Sequence, residues 1–117
     1  MGRGGYFYKI LPARDWRAAE SSGVVPYAAV DERDGYMHMS TGEQVLETAR
    51  LHFKGQTDLV ALEIDPALID GDVRLEPSRG GALFPHLYGA LSIDAVLRAR
   101  PLIEADGEFS FADETRA

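Results

Sequence analysis

The segment EPSRGGALFPHLYG, residues 76–89, is the most distinctive stretch of this sequence. It combines glycines and prolines with Arg79, His86 and two aromatic side chains. Glycine loosens the backbone and proline lacks a backbone N–H donor, so this composition favours neither a helix nor a regular strand. The segment is therefore predicted to be a rigid, irregular loop that presents polar groups, which is typical of a functional site.

Inside this segment, the Phe84-Pro85 step restrains the backbone just before His86. A residue that precedes proline is pushed towards an extended conformation, and proline fixes its own φ angle. In an extended run, Tyr88 projects to the same side as His86. The sequence therefore predicts a rigidly aimed histidine with an aromatic neighbour.

The beginning of the same segment has features of an anion site. Arg79 can donate two parallel hydrogen bonds to an anion, and the backbone amides of Gly80 and Gly81 could form a phosphate nest. In the alternative interpretation the loop is only stiff, with Arg79 paired to Glu76 and His86 bonded to backbone. We favour the functional interpretation because rigid loops that carry polar groups are where sites concentrate.

A second polar cluster follows the alternating run Met37-His38-Met39. Strand alternation points His38 away from the side used by Met37 and Met39. Ser40 or Thr41 is placed to cap a helix, and a histidine just before a helix N-terminus can hold a ribose hydroxyl or a phosphate oxygen. The alternative, a capped helix preceded by a hydrogen-bonded strand histidine, remains equally open.

The remainder of the chain predicts a small α+β domain over residues 6–103. Two main helices are expected, one over residues 12–22 and one that starts after Ser40 or Thr41 and ends at Gly55, among five or six strands. His52 is expected to pack on the buried side of the second helix.

Three other segments are expected to lie outside the helices and strands. Residues 31–35 predict a solvated turn, because Asp34-Gly35 is a turn signal. Residues 1–5 are expected to be a flexible N-terminus, and residues 104–117 a weakly ordered acidic tail.

Composition restricts the possible functions. With 12 basic and 19 acidic residues the net charge is −7, which argues against extended nucleic-acid binding. The absence of cysteine excludes disulfides, thiolate zinc sites and a cysteine nucleophile. Nothing in the sequence resembles a signal peptide, an apolar run of membrane-spanning length or a metal-binding histidine spacing. We therefore expect a cytoplasmic protein that binds a small molecule or nucleotide, with no metal and no membrane partner.

The chain resembles the domain-of-unknown-function family 952 over about residues 6 to 102. Two long motifs carry the resemblance: Asp34-Gly35-Tyr36-Met37-His38-Met39-Ser40-Thr41 and the segment of residues 76–89. More remotely, that family looks like the ADP-ribosyltransferase-type fold, an α+β split sheet around an NAD cleft. His38-Met39-Ser40 is similar to the His-x-Ser/Thr element of that superfamily, which includes NAD-dependent RNA 2′-phosphotransferases.

The resemblance implies NAD as a possible cofactor and gives each site residue a role. His38 would hold a ribose hydroxyl with help from Ser40. Phe84 or Tyr88 would stack on nicotinamide, and Arg79 would bind the pyrophosphate.

The catalytic carboxylate of such a transferase remains open among Glu63, Glu76 and Glu104, since none is flanked by a matching motif. We take Glu76 as the group that stabilises an oxocarbenium-like ribose or orients the acceptor, and His86 as the general acid or base. The resulting prediction is a transferase-like enzyme. One alternative is a non-catalytic sensor of a small anionic ligand, and a less favoured one is a metal-dependent hydrolase built on His38 and His86.

Overall fold

The computed structural model of this chain describes residues 5–114, apart from the side chain of Arg79. Within that range it has three α-helices and ten β-strands. The helices are α1 (Ala13–Ser22), α2 (Ala29–Asp34) and α3 (Val45–His52). The strands are β1 (Phe7–Pro12), β2 (Val24–Val25), β3 (Met37–His38), β4 (Ser40–Thr41), β5 (Leu59–Ile64), β6 (Asp72–Pro77), β7 (Leu83–Tyr88), β8 (Leu91–Ser92), β9 (Val96–Ala105) and β10 (Glu108–Phe111).

The strands form three antiparallel sheets. The largest has the order β10-β9-β5-β1-β4, a second has the order β3-β7-β6, and β2 pairs with β8. Short helices combined with antiparallel sheets make this an α+β fold, as predicted. No helix among residues 5–114 is long and apolar enough to cross a membrane.

The central strand β5 explains how the large sheet is covered. Its sequence LVALEI is almost continuously apolar, and all six residues are buried. Leu62 packs with Met37 in the core cluster on one side, while Ala61 packs with Val45 of α3 in a second cluster. Because successive strand residues face opposite sides, a strand buried on both faces needs apolar residues at nearly every position.

The segment from β3 to β4 passes from the small sheet to the large one. β3 pairs with β7, the Met39 N–H donates to the Pro85 carbonyl oxygen at 3.0 Å, and β4 then pairs with β1. This second pairing involves only Phe7 and Tyr8 of β1. No described strand continues the pairing along residues 9–12 on that side, so the edge of β1 is open there.

The second predicted helix is shorter than expected. Ser40 and Thr41 pair with β1 instead of capping a helix, so α3 begins at Val45 and ends at His52 rather than Gly55. His52 is exposed, and the prediction that it packs in the core is wrong.

Two predicted irregular segments are regular in the structure. Residues 31–34 belong to α2, and Asp31 is fully buried rather than part of a solvated turn. Residues 76–89 contain one arm of the β6–β7 hairpin, whose turn includes Gly80 and Gly81 with left-handed φ angles of 68° and 81°. The prediction of an irregular loop is therefore wrong for Leu83–Tyr88, because strand pairing satisfies backbone groups that composition alone left unassigned.

The end of the chain is part of the large sheet. β9 extends to Ala105, β10 pairs with it, and Phe109 and Phe111 are buried. The prediction of a weakly ordered tail is therefore wrong for residues 104–114. Residues 115–117, and residues 1–4 of the predicted flexible N-terminus, lie outside the described residues.

Candidate functional site

A cavity of about 660 Å³ lies along the open edge of β1. Its walls come from β1, the segment around α2, the β3–β4 passage, α3 and β7. This volume falls within the range of ordinary small-molecule pockets.

The predicted site residues divide into two groups around this cavity. Those that line it are His38, Ser40, Phe84 and His86. Those that are described but do not line it are Thr41, Glu76, Gly80, Gly81 and Tyr88. The side chain of Arg79 lies outside the described part of the chain, so its role as an anion ligand stays a prediction.

Asp31 is a buried anion beside the cavity. One carboxylate oxygen accepts hydrogen bonds from Lys9 Nζ at 2.7 Å and from the Ala28 N–H at 2.9 Å, and the other accepts from the His38 N–H at 3.0 Å. Burial alone would raise the pKa of Asp31, but its hydrogen bonds with His38 and the charge of Lys9 hold that pKa well below its usual range. Asp31 is therefore ionised in the folded protein.

Lys9 provides the opposite charge. It is 5% exposed, and its Nζ also donates to the His38 carbonyl oxygen at 3.1 Å. Burial lowers the pKa of Lys9, while the charge of Asp31 opposes that change. A buried pair of this kind is destabilised strongly when one partner is removed, because the other charge stays buried without compensation.

His38 is held between two carboxylates. Its Nδ1 is 2.7 Å from Asp31 Oδ1, and its Nε2 is 3.0 Å from Asp34 Oδ2. An ionised carboxylate only accepts hydrogen bonds, and only the imidazolium form has an N–H on both ring nitrogens. The arrangement therefore satisfies a His38 cation that donates from Nε2.

His86 lies directly opposite His38 in the β3–β7 ladder, with ring centroids 5.5 Å apart. Its Nδ1 is 2.8 Å from Glu76 Oε1, and the same oxygen accepts from the Tyr88 hydroxyl at 2.7 Å. The hydrogen bond from Tyr88, followed by that from His86, holds the pKa of Glu76 below its usual range. The other ring nitrogen of His86, Nε2, is buried and has no hydrogen-bond partner among the described residues.

Tyr36 joins the two histidines. Its ring stacks on His86 with centroids 4.2 Å apart and planes 26° apart, and it lies 4.7 Å from His38 and 5.2 Å from Tyr88. Burial raises the pKa of Tyr36, so its hydroxyl is neutral at neutral pH. The rings of Tyr36, His38, His86 and Tyr88 therefore form one aromatic layer on this face of the small sheet.

The predicted hydroxyl and amide donors are partly engaged within the protein. The buried Ser40 Oγ lies 2.9 Å from Thr48 Oγ1, and the Thr41 N–H donates to Gln44 Oε1. The Gly81 N–H donates to the Ser78 carbonyl oxygen in the hairpin turn. One of the two amides predicted for a phosphate is therefore already used.

No described glutamate lines the cavity. Glu63 accepts from the Tyr8 hydroxyl, and Glu104 accepts from the Gly55 N–H. The carboxylates that do line it belong to Asp15 and Asp34. Among residues 5–114, no group of three or more histidines and carboxylates is arranged to hold a metal ion.

Sequence reasoning missed four residues of this site: Lys9, Asp31, Asp34 and Tyr36. The sequence did indicate that Lys9 is unusual, because Lys9 lies on the same inward side of an apolar strand as Phe7 and Leu11. A charge at such a position requires a buried partner. The partner itself, Asp31, is 22 positions away in sequence and had no signal of its own.

Comparison with known proteins identifies a family and a relative whose structure has been solved. Residues 10–99 match the family described as "Protein of unknown function (DUF952)". The chain is similar to protein CC0527 from Caulobacter crescentus, whose crystal structure has 43% sequence identity and a TM-score of 0.83, with 90% of this chain and 93% of that chain covered. The solution structure of CC0527 has 44% identity and a TM-score of 0.77, with 88% and 90% covered. No curated protein matches the chain.

Proposed function

The chain belongs to the DUF952 family of proteins of unknown function, and we propose that it binds NAD or a related phosphorylated nucleotide in its cleft and acts on it as a transferase. The observation that carries this proposal is the hydrogen bonding of the His38 ring. Asp31 and Asp34 contact the two ring nitrogens of His38, an arrangement that is satisfied when both nitrogens carry an N–H, and the Nε2–H lies beside the cavity.

In the structure, this donor faces Asp34. The Asp34 carboxylate is partly exposed, and it is shared with Arg33, whose Nε lies 2.9 Å away. Surface ion pairs contribute little to stability, so a ligand oxygen can replace Asp34 at small cost. We infer that a ribose hydroxyl takes that place and accepts the hydrogen bond from His38.

The composition of the cavity suits the other parts of a nucleotide. Phe84 and Tyr36 offer aromatic surface for a base or a nicotinamide ring, while the exposed Arg33 side chain brings positive charge to the cavity lining. The likeness of His38-Met39-Ser40 to the His-x-Ser/Thr element of the ADP-ribosyltransferase-type fold supports the same assignment. The Arg79 side chain would add a phosphate ligand.

The proposed chemistry takes place at the ribose carbon that bears nicotinamide. Departure of nicotinamide leaves an oxocarbenium-like ribose, and His86 acts as acid or base in the transfer. Glu76 supports this step through His86, because its carboxylate binds His86 and Tyr88 rather than facing the cavity.

A second candidate function is a sensor that binds the nucleotide without turnover. The absence of a glutamate from the described cavity lining favours this alternative. Replacement of His86 with Ala separates the two: an enzyme loses turnover and keeps binding, whereas a sensor changes only in its binding.

Thermal unfolding in the presence of NAD, ADP-ribose or a 2′-phosphorylated nucleotide at millimolar concentration tests the proposal. A ligand at ten times its Kd stabilises the folded state by about 1.4 kcal/mol, enough for a clear rise in Tm. We expect His38→Ala to abolish that rise. Arg50→Ala, which alters an exposed pair on the outer side of α3, serves as the matched control and should leave it intact. Failure of all three nucleotides to raise Tm contradicts the proposal.

A further inference from the structure

We propose that His86 Nε2 accepts the hydroxyl group of a second substrate, an alcohol, and that the Tyr36 ring covers this nitrogen until the substrate binds. The identity of the group transferred to the alcohol rests on the proposed function above. The position of the His86 proton and the cover by Tyr36 do not depend on that identity.

The first step concerns the position of the His86 proton. Glu76 is ionised and can only accept hydrogen bonds, so the 2.8 Å contact requires a proton on His86 Nδ1. In the neutral ring, Nε2 then carries a lone pair. The Tyr88 hydroxyl, bonded to the same Glu76 oxygen, helps hold the carboxylate in place for this contact.

The second step concerns what lies around Nε2. His86 is 2% exposed, and Nε2 has no partner among the described residues. Buried polar atoms are nearly always hydrogen-bonded, so an unpaired acceptor at the wall of a cavity indicates a place for an external donor. An O–H group matches this position because it donates one hydrogen bond and is small enough to enter beside the stacked rings.

The third step concerns Tyr36. Nε2 is buried, so an alcohol reaches it only when a neighbouring group moves, and we assign this movement to the Tyr36 ring that is stacked on His86. Gly35, immediately before it, ends α2 with a left-handed φ of 87°. Since glycine adopts such angles without a Cβ penalty, this position can change conformation more easily than its neighbours.

His38 and His86 therefore present opposite polarities. His38 offers an N–H donor to the nucleotide, while His86 offers a lone pair to the alcohol, and their rings are 5.5 Å apart. In the transfer step, the O–H bond of the alcohol breaks and its proton moves to His86 Nε2. The oxygen forms a bond to the ribose carbon of NAD, and the bond from that carbon to nicotinamide breaks, so nicotinamide leaves as a neutral molecule.

The position of the proton can be measured directly by ¹⁵N NMR of the histidine rings in the unliganded protein. We expect neutral His86 to be protonated at Nδ1 and unprotonated at Nε2. In Glu76→Gln the amide can donate as well as accept, so this preference should weaken to a mixture of tautomers. A wild-type His86 protonated at Nε2 overturns the proposal.

The cover can be measured by modification with diethyl pyrocarbonate, with each histidine followed by mass spectrometry. We expect Tyr36→Ala to raise the rate at His86 at least tenfold, while the rate at exposed His52 stays unchanged as an internal reference. Tyr36→Phe keeps the ring and should behave as wild type. Tyr6→Ala, at an exposed tyrosine, is the matched control. A folded Tyr36→Ala protein with an unchanged His86 rate overturns the proposal.

These two measurements use no nucleotide, so they separate this proposal from the proposed function. If His86 behaves as expected and no nucleotide binds, the nucleotide assignment fails and the hydroxyl acceptor stands. If nucleotides bind but His86 carries its proton on Nε2, the nucleotide assignment stands and the hydroxyl acceptor fails.

Discussion

Replacement of Asp31 with Asn removes the charge at the centre of the site while keeping nearly the same shape. The variant leaves Lys9, which is 5% exposed, without its counter-ion, and it places an amide where His38 Nδ1 donates. Breaking one partner of a buried ion pair typically costs about 3–5 kcal/mol. At about 2.1 cal/mol/K of unfolding entropy per residue, that cost lowers the Tm of a chain of this length by roughly 12–20 °C.

Urea unfolding followed by circular dichroism gives the change in unfolding free energy. Asp34→Asn is a matched control, because it makes the same chemical change at an exposed carboxylate that contacts the same His38 ring. We expect that control to remain close to wild type. A loss below about 1 kcal/mol in Asp31→Asn refutes the argument that Asp31 and Lys9 form a compensated buried pair.

The difference in unfolding free energy between wild type and Asp31→Asn depends on pH with a defined sign. The folded protein holds the pKa of Asp31 below its usual value, which is about 3.9 in an unfolded chain. The stabilisation by Asp31 is therefore fully present above the unfolded pKa and is lost as the pH falls towards the folded one. We expect the gap between wild type and Asp31→Asn to be constant near neutral pH and to shrink below about pH 4.

Two further predictions concern the other side of the large sheet. Phe111→Ala should cost about 3 kcal/mol of unfolding free energy, because Phe111 is buried against Arg100 and Tyr8, whereas exposed Leu97→Ala should change little in the same urea titration. Burial, with a hydrogen bond to Glu63, raises the pKa of Tyr8 to about 12. The protonated Tyr8 hydroxyl therefore stabilises the folded protein below pH 10, and this stabilisation is lost as the pH rises towards 12. Glu63→Gln should lower this pKa, as followed by tyrosinate absorbance; an unchanged titration contradicts the assigned cause.

Much of the fold could be predicted from local pattern. The apolar run of β5 and the α1 helix after Pro12 lie where periodicity and proline chemistry put them. The errors fall where pairing between distant segments decides the structure. Ser40 and Thr41 have the chemistry of a helix cap, yet strand pairing with β1 places them in a sheet. Glu108–Phe111 forms a strand because β9 provides an edge for it.

The site was predicted in part for the same reason. Alternation placed His38 opposite Met37 and Met39, which are buried, and the extended run correctly put His86 and Tyr88 on one side, where both bond to Glu76. These relations are local, because they depend only on strand geometry.

The sequence by itself determined the family, the α+β class and the two segments that carry the histidines. Only the tertiary structure decided how those histidines are held, because their partners are set by packing between separate elements. Lys9 on β1 pairs with Asp31 on α2, and Tyr36 stacks on His86 of β7. The segment of residues 76–89, read as a loop from its glycines and prolines, is a hairpin arm because β3 and β6 pair on both sides of β7. Backbone hydrogen bonds to neighbouring strands outweigh a local preference that costs only about 1 kcal/mol per residue.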